Sequence, residues 1–230
     1  MSDRAVDSAR PARRLIALAG NAAALIFLGS VCFHISPIPA RELYRVSLPD
    51  TGAGSAATSA APRIPGTLGI VEYATPGIYG DPGIVFRIGE SEYGSYPNRE
   101  WALPLGNQLG VLTERVLARA PLTTEPAVFD PPSSRAQTYL WRGSVREFDE
   151  VNRGRDVLAA VRIDVRLVRA QDDSIVWSGT ARAERPVPSA DMPGIVQALS
   201  ALADQVVSEL VERARHDLAA ARVGKGPGAP

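Results

Sequence analysis

The sequence predicts an α+β fold in which a mostly antiparallel sheet carries two helices on one face. Three observations favour this class: short alternating segments punctuated by Gly and Pro, two longer segments with helical periodicity, and their order along the chain. Strands come first, then a helix, then more strands and a last helix. The 230 residues, 45% of them hydrophobic, suffice for one domain with an appendage.

The first half of the chain holds four segments that predict strands, each ended by turn residues. Apolar and polar side chains alternate within them, and Gly or Pro follows most of them. After the first comes 49–66, a stretch of small residues typical of a flexible linker, which would add reach to an anchored domain. The predicted strands are 42–48, 67–74, 82–89 and 91–96.

Two segments show the period of an amphipathic helix. The first runs from Pro104 to about Arg119, before a proline at position 121. The second covers 191–221, where Asp191 can cap the first turn. The apolar stripe of the first helix consists of Leu105, Leu109, Leu112 and Val116.

Three further strands are predicted between the two helices, at 138–149, 157–170 and 175–184. In the second of them, apolar residues alternate with charged ones, which indicates a strand with one solvated face. The turn residues 172–174 separate the last two strands, so these two should form a hairpin.

The N-terminus has the features of a membrane anchor. Residues 1–14 contain several arginines and predict a basic region on the cytoplasmic side, and 15–35 is an apolar run of about 20 residues, close to the length of a spanning helix. Cys32 ends a segment that resembles the lipobox of bacterial lipoproteins. Either Cys32 carries lipid and becomes the first mature residue, or 15–35 remains as a membrane helix. Whether the inner or the outer membrane holds the anchor stays open.

The chain is therefore expected to divide into a tethering part and one domain. The expected segments are 1–14 (cytoplasmic basic region), 15–35 (membrane anchor or lipoprotein signal), 36–66 (first strand and flexible linker), 67–222 (α+β domain) and 223–230 (disordered tail).

Composition argues against several classes of function. The formal net charge is zero, whereas a nucleic-acid-binding protein usually carries a basic surplus. One cysteine and two histidines, His34 and His216, are a poor basis for a zinc site or a histidine-dependent nucleophile. Three acid pairs lie at predicted turns or strand edges, where carboxylates usually stay solvated. We therefore predict no catalytic residue, no metal and no cofactor. The pairs are Glu90/Glu92, Asp149/Glu150 and Asp172/Asp173.

Aromatic residues make up only 6% of the chain, yet three of them precede the first helix closely. These are Tyr93, Tyr96 and Trp101, and Trp141 lies on the strand predicted at 138–149. Such side chains either pack the seam between a sheet and a helix or remain exposed as anchors for a partner. Both roles, structural and partner-contact, are open for these four residues.

The order of several motifs suggests a family. An early strand with a tyrosine comes first, then a valine-rich strand with a downstream tyrosine, an aromatic entry to a Pro-Leu helix, and a strand with an acidic and aromatic segment. The matching positions are Tyr44, Ile70, Tyr79, Tyr93, Trp101, Pro104, Leu105 and Phe148. Over about 42–215 the chain resembles the ABC-type transport auxiliary lipoproteins, a PqiC-like family.

This resemblance implies a periplasmic subunit without catalytic activity. Such a subunit works beside an ATPase, a permease and a mammalian-cell-entry (MCE) domain protein, which together move lipids between membranes or maintain the outer membrane. Two alternatives are an envelope hydrolase that uses an acid pair and a standalone structural lipoprotein of the envelope.

Overall fold

The computed structural model describes residues 40–47 and 63–223 of the chain. The predicted cytoplasmic region and the anchor, including Cys32, lie outside the described residues, as do most of the linker and the tail.

Within the described residues the chain forms strands and helices in the predicted order, strands–helix–strands–helix, which confirms the α+β class. A three-residue strand after the first helix was not predicted. The elements are β1 (Glu42–Tyr44), β2 (Leu68–Ala74), β3 (Gly83–Ile88), β4 (Glu92–Trp101), α1 (Leu105–Arg119), β5 (Ala127–Phe129), β6 (Tyr139–Arg153), β7 (Asp156–Arg169), β8 (Ile175–Pro186) and α2 (Met192–Val223).

The eight described strands form one sheet organised around the long strand β6. On one edge β6 pairs with β7, which in turn pairs with β8 in the predicted hairpin. On the other edge two strands lie end to end: β2 pairs with the first half of β6 and β3 with the second half. Beyond them, β5 lies beside β2, and β4 and then β1 lie beside β3.

The expectation of a mostly antiparallel sheet was wrong, because the sheet is mixed. Four pairings are parallel: β1 with β4, β2 with β5, and β6 with both β2 and β3. For the three pairings that involve β5 or β6, the reason is the path of the chain through β4 and α1. These two elements lead the chain back to the end of the sheet where β2 begins, because Ala127 and Tyr139 are both in register with Leu68, so β5 and β6 run parallel to β2. Alternation within a strand does not reveal this direction.

Strand β1 belongs to the same sheet as the strands that follow the linker, since Glu42, Leu43 and Tyr44 pair with β4. The next residues are tied to both helices: the Val46 N–H donates to Gln108 Oε1 at 2.7 Å, and the Ser47 N–H donates to Ser200 Oγ at 2.9 Å. The linker therefore joins two strands of one sheet. It does not separate the domain from an anchor, and the expected gain in reach does not follow.

Helix α2 is long and apolar enough over Met192–Ala221 to cross a membrane by length and composition, but it is a core helix. Leu199, Val206 and Leu210 are fully buried in the hydrophobic core between sheet and helices. Burying each such side chain contributes about 1.5–3 kcal/mol, which explains why the helix stays against the sheet.

Candidate functional site

Asp149 on β6 is the centre of a buried polar cluster. Its side chain is fully buried and accepts hydrogen bonds from Tyr79 Oη and Arg87 Nε, both at 2.9 Å, and from the Phe148 N–H at 3.1 Å. We call Asp149, Arg87 and Tyr79 the Asp149 cluster. Buried charges require this kind of pairing, because removing an ion from water without a partner is very unfavourable.

The split strand pairing on β6 builds this cluster. The segment that connects β2 to β3 passes beside the middle of β6 and carries Tyr79. Val85 on β3 is in register with Asp149, and Arg87, two residues later, points to the same face of the sheet. The three side chains therefore meet although Asp149 is more than sixty residues away in sequence.

Burial governs the electrostatics of the cluster. It raises the pKa of the Asp149 carboxyl, and the hydrogen bonds from Tyr79 and Arg87 oppose that rise. Burial and then the Asp149 charge raise the pKa of the Tyr79 phenol. For Arg87, burial alone would lower the pKa, but the carboxylate of Asp149 outweighs it and the net shift is upward. Arg87 therefore remains a cation whose partner lies inside the protein.

Glu150 faces the other side of the sheet. It accepts hydrogen bonds from Tyr96 Oη at 2.7 Å and from Asn152 Nδ2 at 2.8 Å, and it is 3% exposed. Burial, followed by the bond to Glu150, raises the pKa of Tyr96. Successive side chains of a strand point to opposite faces, so the carboxylates of Asp149 and Glu150 do not converge on one atom of a substrate.

The other two acid pairs also have ordinary local roles or surroundings. Glu90 and Glu92 are exposed at the turn between β3 and β4. Asp172 accepts hydrogen bonds from the backbone and hydroxyl of Ser174, and Asp173 pairs with Arg142 at 2.8 Å. Over residues 40–47 and 63–223, no three His, Cys, Asp or Glu side chains are grouped so that they could hold a metal ion.

Both tryptophans among the predicted site residues are part of the core. Trp141 is fully buried, stacks with Trp177 at 6.1 Å between ring centroids, and donates from Nε1 to Tyr73 Oη at 2.9 Å. Trp101 is 6% exposed and meets Phe148 edge to face at 5.6 Å. In this structure neither ring is available as an anchor for a partner.

The two tyrosines differ from the tryptophans. Tyr96 is half-buried and packs against Phe86, with 5.0 Å between ring centroids. Tyr93 is 45% exposed, and its ring lies over the guanidinium of Arg87 at 5.7 Å. Ile88, at the end of the paired strand β3, is 48% exposed. We call the turn end of the β3–β4 hairpin the hairpin surface, with Tyr93 on the same face as its register partner Arg87 and Ile88 on the opposite face.

A small cavity of about 260 Å³ lies at the other end of β4. Four of the positions that suggested a family from sequence line this cavity together. They are Tyr79, Trp101, Pro104 and Leu105. Their spacing in sequence thus reflects one structural feature, the junction of the β2–β3 connection with the entry to α1.

Residues 47–211 match the family model described as ABC-type transport auxiliary lipoprotein component. The chain belongs to this family. The matched region begins just after β1 and ends within α2, so it contains the Asp149 cluster and the hairpin surface. The family name places this auxiliary component with an ABC transport system.

Solved structures with TM-scores above 0.5 show that the fold of this auxiliary component recurs. A DUF330 protein from Xanthomonas campestris is 20% identical with a TM-score of 0.61, covering 81% of this chain and 97% of its own. An uncharacterised protein is 15% identical with a TM-score of 0.57, covering 76% of this chain and 99% of its own. A dodecameric PelC from Paraburkholderia phytofirmans is 14% identical with a TM-score of 0.46, covering 68% of this chain and 95% of its own. No curated protein sequence matches the chain.

Sequence reasoning did not identify Arg87 or Asp149 as a pair in this auxiliary component. One signal was available for Arg87, which interrupts the apolar run Gly83–Ile88 with a charge on a buried strand. A charge at such a position requires a buried partner. The sequence does not reveal which of the acidic residues supplies it, because that depends on the pairing of β3 with β6.

Proposed function

We propose that the chain is a periplasmic, membrane-anchored and non-catalytic adaptor of an ABC transporter that works with an MCE-domain protein in lipid trafficking. The observation that supports an adaptor most is the hairpin surface. Tyr93 is about half exposed, yet its ring rests on Arg87, which is held by the buried carboxylate of Asp149. Family membership supports the association with an ABC system.

A tyrosine held in this way suits a contact with another protein. Tyr is favoured at interface hot spots, and a side chain already ordered in the free protein loses little entropy on binding. Ile88 exposes apolar area at the same end of the hairpin but on its opposite face, so a partner that contacts both residues would have to grip the hairpin end. The phenol hydroxyl of Tyr93 remains available to a hydrogen-bond partner. This arrangement favours the partner-contact role for Tyr93 over the structural one.

The anchor supplies the second half of the proposal. Lipid on Cys32, or residues 15–35 as a helix, would hold the domain at the periplasmic side of the inner or the outer membrane. The partners would be the MCE-domain protein, the ABC permease and the ATPase. The adaptor would contribute positioning and would carry out no chemistry itself.

Affinity purification of the tagged full chain at native expression tests this proposal. We expect the wild type to recover the MCE-domain protein and the permease, and Tyr93→Ser with Ile88→Ser to lose most of that recovery. The matched control is Ile175→Ser, since Ile175 is 60% exposed on the distant strand β8. Recovery of the wild-type chain without transporter subunits would contradict the proposal.

An envelope hydrolase receives no support from the acid pairs. Asp149 and Glu150 are each bound by tyrosine and by a second side chain, on opposite faces of β6. Alanine at Asp149 is therefore expected to change stability and not a catalytic rate. A standalone envelope protein would differ from the adaptor in the purification experiment, because it would bring down proteins unrelated to an ABC system.

A further inference from the structure

The outward side of β1 combines charge with an exposed apolar side chain. Side chains alternate along this strand and the residues that flank it: Tyr44 and Val46 pack towards the core, whereas Arg41, Leu43 and Arg45 are exposed. Leu43 is 60% exposed, which is high for a large apolar residue in a sheet. We call Arg41, Leu43 and Arg45 the outer face of β1.

The charges of this face are only partly neutralised within the domain. Arg41 pairs with Glu100 on the neighbouring strand at 3.2 Å, and its side chain is still 68% exposed. The side chain of Arg45 has no hydrogen-bond or ion-pair partner among residues 40–47 and 63–223. Of the two arginines on this face, Arg45 therefore keeps an uncompensated positive charge near Leu43. A basic face with an apolar centre is complementary to a surface of anionic lipid headgroups.

The length of chain before β1 limits how far this face can be from the membrane. The span predicted at 15–35 ends five residue steps before Ala40, and five extended steps cover at most about 18 Å. If Cys32 carries lipid instead, eight steps lead to Ala40 and cover at most about 29 Å. Under either form of anchoring, β1 is the first element after the membrane attachment in the part of the chain that the structure describes.

From these observations we propose that the outer face of β1 lies on the anionic headgroups of the membrane that carries the anchor, with Leu43 at the headgroup level and Arg41 and Arg45 on lipid phosphates. This inference rests on the membrane anchoring in the proposed function. It assigns β1 a role beyond pairing with β4. The hairpin surface, which belongs to β3 and β4, remains free for a protein partner.

Photo-crosslinking of the full chain in vesicles tests the contact. p-Benzoylphenylalanine replaces Leu43 in one variant and Ile175 in another, and these two positions are equally exposed at 60%. The vesicles contain phosphatidylcholine with phosphatidylglycerol, or phosphatidylcholine alone. We expect lipid adducts at position 43 in the anionic vesicles, few adducts at position 175, and fewer adducts at 43 without phosphatidylglycerol.

Charge variants measure the contribution of the arginines. Arg41→Gln with Arg45→Gln should lower the ratio of docked to undocked molecules by about tenfold or more, seen as lost adducts at position 43. Arg162→Gln with Arg166→Gln has the same spacing on β7 and should leave the adducts unchanged. Both pairs of arginines are exposed, so the thermal midpoints should stay near that of the wild type.

The possible failures are distinguishable. A chain that floats with the vesicles but forms no lipid adduct at position 43 overturns the docking of β1 and leaves the anchoring intact. Equal adducts at 43 and 175 also overturn it, because the contact would then be nonspecific. A chain that does not float with either vesicle overturns the anchoring and, with it, the docking of β1.

Discussion

The indole Nε1–H of Trp141 donates a hydrogen bond to the phenol oxygen of Tyr73 at 2.9 Å, inside the core. Tyr73 Oη lies 2.7 Å from Thr113 Oγ1, and the Thr113 hydroxyl donates to the Leu109 carbonyl at 2.8 Å. Because that hydroxyl proton is already used, Tyr73 must donate to Thr113. The bonds thus run in one direction from β6 through β2 to α1 and join the sheet to the first helix.

Tyr73→Phe removes the middle of this chain of bonds. It leaves the Trp141 N–H buried without an acceptor, so we expect the free energy of unfolding to fall by about 1–3 kcal/mol. Chemical denaturation measures the change. The control is Tyr44→Phe. The Tyr44 hydroxyl donates to the exposed Glu42, so its removal should lower the free energy of unfolding by less than about 0.5 kcal/mol. Equal losses in the two variants would contradict the role given to Tyr73.

Asp149→Ala should destabilise the domain by about 3–5 kcal/mol, since it leaves the buried guanidinium of Arg87 without its anion. Adding Arg87→Met removes that unpaired charge, so the double variant should be more stable than the single one. Tyr79 loses its acceptor in both, and the comparison therefore isolates Arg87. Unfolding curves of the two variants measure the difference.

The control for the buried pair is a pair at the surface. Arg146 and Asp164 are 2.6 Å apart, but their side chains are 50% and 31% exposed. Asp164→Ala should change the free energy of unfolding by about 1 kcal/mol or less. A loss as large as that of Asp149→Ala would show that burial does not explain the effect at Asp149.

Stability should fall at alkaline pH. Burial raises the pKa of Tyr73 from 10.0 to about 12, and burial also raises the pKa of Tyr79 and Tyr96. The unfolded chain loses these protons first, near pH 10, so the stabilisation is complete below that pH. The stabilisation that comes from Tyr73 is lost between about pH 10 and 12, where the free energy of unfolding falls by about 1.4 kcal/mol per pH unit. Denaturation at several alkaline pH values should show a smaller slope for Tyr73→Phe than for the wild type.

Gly143→Ala should destabilise the domain by about 1–3 kcal/mol or more. A Cβ at this position would occupy the space of the Tyr73 ring, which is fully packed against Trp141 and Thr113. Thermal unfolding measures the effect. Ser144→Ala is the neighbouring control, because Ser144 follows on the other face of β6 and is only half-buried. A thermal midpoint of Gly143→Ala as high as that of Ser144→Ala would contradict this expectation, because it would show that the Tyr73 ring moves aside with little loss of stability.

Local pattern in the sequence was sufficient for the elements themselves. The apolar stripe of Leu105, Leu109, Leu112 and Val116 predicted α1, and these four side chains are buried. The alternation around Ile163 predicted a strand with one solvated face, as β7 has. These patterns depend only on the period of a helix or a strand, and that period is present in the residues. The three-residue strand β5 was missed because so short a segment has no period to detect.

Only the tertiary structure decided which residues meet. The direction of β6 relative to β2 and β3, and their end-to-end arrangement along one edge, place Tyr79 and Arg87 on Asp149. The same packing buries Trp141 and leaves Tyr93 exposed, although the two aromatics look equivalent in sequence. Burial and pairing are properties of contacts between distant segments. No local pattern encodes them, and for this reason the role of each aromatic required the assembled sheet.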